Sequence, residues 1–390
     1  MNVLFQGINS PPDPDMGPDH IEYDQMAQNF VAGKGFSLSS GPTTNRPPGV
    51  SFLLIPVYFL FGVNYAIVRI MFSLLGALTC IVIYFIGKKV HDEKLGIFAA
   101  LLLSIYPMHF YYSQHLYSEV PWAFFMSLGV YYALRFQEKN RILDGVLMGS
   151  LICLSSYIRP VAIFYLPIYT LWGLSFAVVR EPMRYLKWML LPSVVFIVLI
   201  LPWMIRNYRL TGHMSVVTTH GGAAIWGAHN EKVFEDLQKM GSWIPQSELP
   251  GFKEMRERIK NPAELDKLLF NRGISVIKNN LSKMPMLEIM KLYRMLTPFY
   301  HTPNKLFNLV GGIGWVLLFP LVLIGVGSTL KERLFVPLHA TLLLILFITL
   351  VFYGDHRFTA SISPFLVIYA SIAFFKLVKI LRLFDSGDAR

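Results

Sequence analysis

The chain of 390 residues is 54% hydrophobic and 15% charged, with a mean hydropathy of +0.47. A soluble protein of that size has no interior large enough to hide so much apolar surface, so a water-soluble globule is excluded and a bilayer must cover the rest. The net charge is +11; in a soluble protein this would suggest nucleic acid, but here the basic residues sort by loop, as membrane topology demands, and no nucleic-acid partner is expected.

In chain order, Met1–Gly7 (MNVLFQG) reads as the outer end of a first transmembrane helix cut short, with a protease-site scar as the alternative. Residues 1–48 are expected to be an extracytoplasmic loop. In it, Gly17-Pro18-Asp19-His20-Ile21-Glu22-Tyr23-Asp24 precedes a helix-like Met26–Val31 and a Gly33-Lys34-Gly35 stop. Val50–Val63 is apolar but short and follows Pro47-Pro48, so it either spans or lies in the interface.

Apolar runs of about 17 to 25 residues, enough to cross about 30 Å of hydrocarbon, occur near 66–88, 95–112, 120–136, 142–158, 160–179, 187–205, 307–329, 333–353 and 360–381. Nine crossings are predicted. Alternate loops carry Lys88, Lys89 and Lys94; Arg135, Lys139 and Arg141; Arg180, Arg184 and Lys187; Lys331 and Arg333; and Lys376, Lys379 and Arg382, which marks them as cytoplasmic. The opposite side receives residues 1–48, the Tyr111–Glu119 turn, the Ile158-Arg159-Pro160 turn, a segment from Arg206 to Lys305, and Gly354–Arg357. The expected division is therefore a first loop (1–48), a transmembrane bundle (49–205), an extracytoplasmic segment (206–305) and C-terminal transmembrane helices with a cytoplasmic tail (306–390). The fold class expected is an all-α polytopic membrane bundle with a small α-rich extracytoplasmic cap, in the inner (plasma) membrane. Cys80 and Cys153 lie in apolar runs without metal-ligand spacing, so neither a disulfide framework nor a zinc site is supported.

Several outward-facing groups are costly to keep in a membrane protein. A carboxylate such as Asp19 can accept a proton from a hydroxyl, though a solvated acidic loop would look the same. Arg46, stiffened by Pro47-Pro48, can hold a phosphate bidentately or snorkel to headgroups. Glu119 begins a span, where an acid also suits the helix N-terminus. Arg46, Arg159, Arg206 and Arg357 run against the positive-inside bias, and together with two acids they suggest an anionic ligand, a phosphate-bearing lipid. The stretch Thr218–Asn230 is Gly-rich, which suits close backbone approach.

The ordered motifs Pro18-Asp19 with Tyr23, Asn29-Phe30-x-x-Gly33-x-Gly35-Phe36, Arg46-Pro47-Pro48-Gly49, Tyr117-Ser118-Glu119-Val120-Pro121, Arg159-Pro160, Pro202-Trp203-x-x-Arg206-Asn207, Gly221-Gly222-x-x-x-Trp226-Gly227-x-x-Asn230 and His356-Arg357-Phe358 resemble the prokaryotic relatives of protein O-mannosyltransferases and the lipid A aminoarabinose transferases, membrane enzymes of the GT-C fold. The resemblance covers nearly the whole chain. It implies a polyprenyl-phosphate sugar donor and a lipid, glycan or protein acceptor on the extracytoplasmic side. It further implies Asp19 as general base, Glu119 as second acid, Arg46 at the leaving phosphate, and substrate contacts from Tyr23, Arg159, Arg206, Asn207, Trp226, Asn230, His356 and Arg357. The aminoarabinose enzymes usually carry Lys where Arg46 stands, so the sugar is left open. No cofactor is assigned, and a divalent cation bridging Asp19, Glu119 and the donor phosphate is left open. The rival readings are a transporter or flippase for an anionic or lipid-linked substrate, and a non-catalytic scaffold of the same fold.

Overall fold

A computed structural model describes residues 10–12, 18–177, 182–298 and 305–387; the expectations about Met1–Gly7, Gly17 and Arg180 lie outside these residues. The chain begins with α1 (Asp19–Val31), whose first turn holds Asp19 and Glu22, acids favoured at a helix N-terminus. Gly33 and Gly35, both at positive φ, end it, as the stop signal predicted. A two-residue hairpin follows, β1 (Ser37–Leu38) with β2 (Gly41–Pro42), antiparallel with Ser37 opposite Pro42.

Next, α2 (Gly49–Phe61) has 13 residues, about 20 Å at 1.5 Å per residue, too short to cross the hydrocarbon unaided. It is packed inward: Ser51 Oγ donates to Tyr23 O at 2.8 Å, and a Cβ at Gly49 would lie 2.6 Å from Ile158 N. Asn64 accepts from Ile67 N to cap α3 (Tyr65–Val90), and Asp92 accepts from Leu95 N to cap α4 (Glu93–Ile105). The predicted span 95–112 is in fact broken. Pro107 has no N–H and forces Tyr106 into extended backbone, so the helix restarts as the short α5 (Pro107–Tyr112). Then come α6 (Glu119–Lys139) and α7 (Ile142–Ile158). The run 160–179 folds as a 3₁₀ turn (Pro160–Phe164) leading into α8 (Tyr165–Ala177).

The sequence ended a span at 205, but α9 (Pro182–Thr211) continues to Thr211 and stops only where Gly212 takes φ +72. The cap therefore starts six residues later than the apolar pattern placed it. It comprises α10 (Gly221–Ala228), α11 (Glu231–Glu235), α12 (Phe252–Arg258), α13 (Pro262–Asn279) and α14 (Met284–Leu296). Its own core includes Trp226, Val233, Leu269 and Leu287, and Asp266 caps α10 by accepting from Gly222 N and Ala223 N. Three helices close the bundle: α15 (Lys305–Thr329), α16 (Val336–Val351) and α17 (His356–Gly387).

Among the described residues, five segments are by themselves long and apolar enough to cross a membrane: Tyr65–Val90, Lys187–Thr211, Lys305–Thr329, Arg333–Val351 and His356–Leu381. The chain is thus an all-α, multi-pass bundle with an α-rich cap, and the cap sits against the ends of helices that bring Asp19, Glu119 and Arg357 together.

Candidate functional site

Each polar group of the site is delivered by a helix end. Asp19 and Glu22 stand one turn apart on α1, Arg46 on the loop into α2, Glu119 in the first turn of α6, Arg159 at the C-terminal end of α7, and Arg357 in the first turn of α17. Helix ends are where backbone polarity and side-chain charge can be satisfied beside lipid.

These side chains form an alternating row. Arg46 grips Glu22 through Nε and reaches Asp19 Oδ1 with Nη1 at 2.8 Å. Arg357 Nη2 lies 3.6 Å from Asp19 Oδ2 and 2.8 Å from Glu119 Oε1, which also accepts from Arg357 Nε at 2.8 Å. Arg159 Nη1 lies 3.4 Å from the same Glu119 oxygen and donates to Ser361 Oγ at 2.6 Å. Glu119 is 1% exposed, and among the described residues its other oxygen, Oε2, is buried without a hydrogen-bond partner. Such an orphan is rare in a folded interior and marks a place where a ligand atom can bond.

Burial works to raise the pKa of Asp19, but Arg46 and Arg357, aided by His220 and Arg159, outweigh it and hold the carboxyl below its ordinary value. Burial pushes the Tyr23 phenol well up. The His220 imidazole, buried beside Arg46, is driven down to about 4 and is neutral at physiological pH.

Three adjoining cavities share Asn45 and His220. The largest, about 840 Å³, is lined by Asp19, Glu22 and Arg46 together with Trp243, Arg294, Tyr353 and Asp355. A narrower one of about 230 Å³ sets Tyr23, Arg46, Arg159 and Arg357 against the apolar Ile158, Val161, Ile348 and Phe352. The third, about 610 Å³, opens past Thr43, Thr44 and Thr219 toward Lys253, Arg256 and Lys260.

Of the residues singled out in the sequence, Asp19, Tyr23, Arg46, Glu119, Arg159, His356 and Arg357 are brought together here; the other four are not. Arg206 stacks on Trp203 and donates to Phe36 O and Thr43 O, so its guanidinium ties the hairpin to α9. Asn207 is fully buried and donates to Val217 O. Trp226, fully buried, fills the cap core under Arg272. Asn230 caps α11 and donates to Trp226 O and Gly227 O. These four lie outside the cavity walls because backbone carbonyls and core packing already use their polar and apolar surfaces.

The position between Asp19 and Glu119 is taken by Arg357 Nη2, and no three His, Cys, Asp or Glu converge among the described residues. Sequence reasoning missed Trp243 and Arg294 as cavity residues and named His220 and Asp355 only within the Thr218–Asn230 and Gly354–Arg357 stretches. Asp355 had a local signal, preceding a helix beside His356-Arg357, whereas Trp243 and Arg294 reach the cavity only through cap packing.

Residues 45–205 match the family model described as dolichyl-phosphate-mannose-protein mannosyltransferase. The apo oligosaccharyltransferase of Archaeoglobus fulgidus is similar in structure at 16% identity and TM-score 0.58, covering 99% of this chain and 50% of its own. The AglB oligosaccharyltransferase from Archaeoglobus fulgidus, in complex with an inhibitory peptide and a dolichol-phosphate, matches at 14% identity and TM-score 0.57, over 95% of this chain and 47% of that one. ArnT from Cupriavidus metallidurans in the apo state matches at 15% identity and TM-score 0.46, over 95% and 74%. The chain spans about half the length of the oligosaccharyltransferase chains it matches. No curated protein matches it in sequence. The fold is that of the GT-C membrane enzymes, and the family model agrees with the resemblance read from the motifs that fall within residues 45–205.

Proposed function

We propose that the chain is a membrane glycosyltransferase that moves a sugar from a polyprenyl-phosphate carrier to a hydroxyl of an extracytoplasmic lipid, glycan or protein. Its main support is the position of Asp19, an ionised carboxylate set where the smaller, apolar-lined pocket meets the largest cavity. Arg46, Arg159 and Arg357 bind the donor phosphate, and the polyprenyl chain runs past Ile158, Val161, Ile348 and Phe352 toward lipid. The family model over residues 45–205 and the dolichol-phosphate held by AglB support this class of donor.

Asp19 takes the proton of the acceptor hydroxyl as that oxygen attacks the anomeric carbon. The bond from that carbon to the phosphate oxygen breaks with inversion, and the arginines stabilise the charge that develops on the leaving phosphate. Glu119 fixes Arg357 and Arg159 for that purpose. The basic loops lie at the opposite ends of the spans, with Lys88 and Lys89 in the last turn of α3, which supports an extracytoplasmic site in the plasma membrane. The charged groups cluster at helix ends, not mid-helix, which favours a transferase over a carrier.

The test is sugar transfer from radiolabelled polyprenyl-phosphate donors in membranes carrying wild type or Asp19→Asn. Loss of transfer with donor binding intact is expected; equal activity in both removes Asp19 from the mechanism.

A further inference from the structure

We propose that the part of the main cavity lined by Trp243, Arg294 and Asp355 seats the sugar ring of the donor and selects a neutral sugar; the assignment rests on the transferase reading above. Two turns build this part. The cap turn around Gly241 and the bundle turn around Gly354 are joined by Gly354 N–H donating to Gly241 O at 2.9 Å, and both glycines press on the backbone of Lys291: a Cβ at Gly241 would lie 2.7 Å from Lys291 N. Lys291, fully buried, donates to Leu350 O at 2.6 Å, Glu288 Oε1 at 2.9 Å and His229 Nε2 at 3.1 Å, which pins the cap to the end of α16. The floor between the turns is therefore rigid.

On it stand the three kinds of group that a polyhydroxyl ring needs. Trp243, half-buried, supplies an aromatic surface for the C–H face of a sugar; its indole is fixed because a Cβ at Gly227 would lie 2.6 Å from Trp243 Cδ1. Asp355 supplies an acceptor: its Oδ1 caps α17 by accepting from Arg357 N at 2.8 Å, and among the described residues Oδ2 has no hydrogen bond, with the side chain 29% exposed. Arg294 supplies a donor: Nε and Nη2 are anchored on Met240 O and Gln238 O, which leaves Nη1 for a hydroxyl.

Position chooses the donor's sugar over the acceptor's. Asp355 lies two residues before Arg357, in the same helix start, and Arg357 is one of the phosphate-binding guanidiniums. A ring bonded to that phosphate falls beside Asp355, while the third cavity, past Thr43 and Thr44, stays open to the acceptor. Asp355 and Arg294 face each other closely enough to offset each other's charge, so the seat offers no net cation to a uronate, whose carboxylate Asp355 repels, and the ring selected is neutral.

The test measures binding of bare undecaprenyl phosphate and of undecaprenyl phosphate bearing glucose, mannose, xylose or galacturonate to the detergent-solubilised chain. Wild type is compared with Trp243→Leu and with Asp355→Asn, whose amide oxygen retains the cap. Wild type should bind one of the neutral sugar lipids more tightly than the bare lipid and than the galacturonate lipid. Both variants should weaken that neutral sugar lipid about tenfold or more while binding the bare lipid as wild type does, and Asp355→Asn should gain galacturonate binding. Equal loss for bare and sugar-bearing lipids, no loss at all, or a wild type that ranks galacturonate with the neutral sugars overturns the seat. Variants that leave every lipid affinity unchanged and raise only the acceptor KM in the transfer assay above overturn it in favour of the acceptor's sugar. Wild type that binds no polyprenyl phosphate overturns the transferase reading itself.

Discussion

Arg46→Met tests the site most directly, because it removes the charge between Glu22 and Asp19 and keeps the unbranched stem of the side chain. Arg46 is the largest opponent of burial at Asp19. Without it the Asp19 pKa must rise, since desolvation then faces only the more distant Arg357, His220 and Arg159. The sign follows directly. In wild type the base form persists below the ordinary carboxylate range; in the variant it is lost at a higher pH, so the acid limb of kcat/KM shifts toward neutrality. The rate at the plateau should fall too. Losing a guanidinium from a leaving phosphate costs about 10²- to 10³-fold by analogy with the removal of one preorganised donor from a developing anion. The assay is sugar transfer from a radiolabelled polyprenyl-phosphate donor between about pH 4 and about pH 8. A rate drop with an unmoved acid limb would refute the electrostatic coupling of Arg46 to Asp19, and an unchanged rate would refute its phosphate contact.

Three further outcomes are expected. Lys291→Met leaves Leu350 O and His229 Nε2 without their donor and should lower stability by about 1–3 kcal/mol, read from denaturant titration in detergent; an unchanged midpoint would show that the cap does not depend on this latch. Gly222→Ala drives a methyl into the backbone of α13 at Asp266 and Phe270 and should cost about 1–3 kcal/mol by overpacking, with the cap exchanging amide hydrogen faster. The folded-state pKa of His220 is depressed from 6.5 to about 4, so the stability it contributes is present above about 6.5 and is lost as pH falls toward 4. His220→Asn should flatten that part of the melting profile but leave the share due to His229, also depressed to about 4.

Much of the architecture was readable from apolar runs alone, because a helix that meets lipid must bury its backbone and present a continuous apolar surface. The same reasoning mislaid the end of α9. Hydropathy falls at Arg206 and Asn207, yet the helix continues, since its hydrogen bonds are internal and Arg206 finds an indole and two loop carbonyls. The break before Pro107 was visible in the residue itself but was overridden by the length of the run. Asp19, Glu119 and Arg357 were legible locally, as acids or an arginine against the expected sign at a helix end, and the structure sets them in one row. Within the Gly221–Asn230 motif, Gly221 and Ala224 line the pocket, whereas Trp226 and Asn230 complete the cap core and a helix cap. Trp243 reaches the cavity only because Gly227 and Gly354 let two distant turns close up, which no sequence window displays.

The alternating row has an arithmetic consequence. Three carboxylates, Glu22, Asp19 and Glu119, are matched by three guanidiniums, Arg46, Arg357 and Arg159. An arriving phosphate makes the anions outnumber the cations, and one carboxylate must yield its partners. Glu119 holds Arg357 through two contacts at 2.8 Å and Glu22 keeps the Nε of Arg46, whereas the Asp19 link to Arg357 spans 3.6 Å. The row parts most easily at Asp19. The guest that supplies the leaving group would thereby turn a restrained spectator into a working base, so that the carboxylate gains proton affinity only when there is a sugar to transfer.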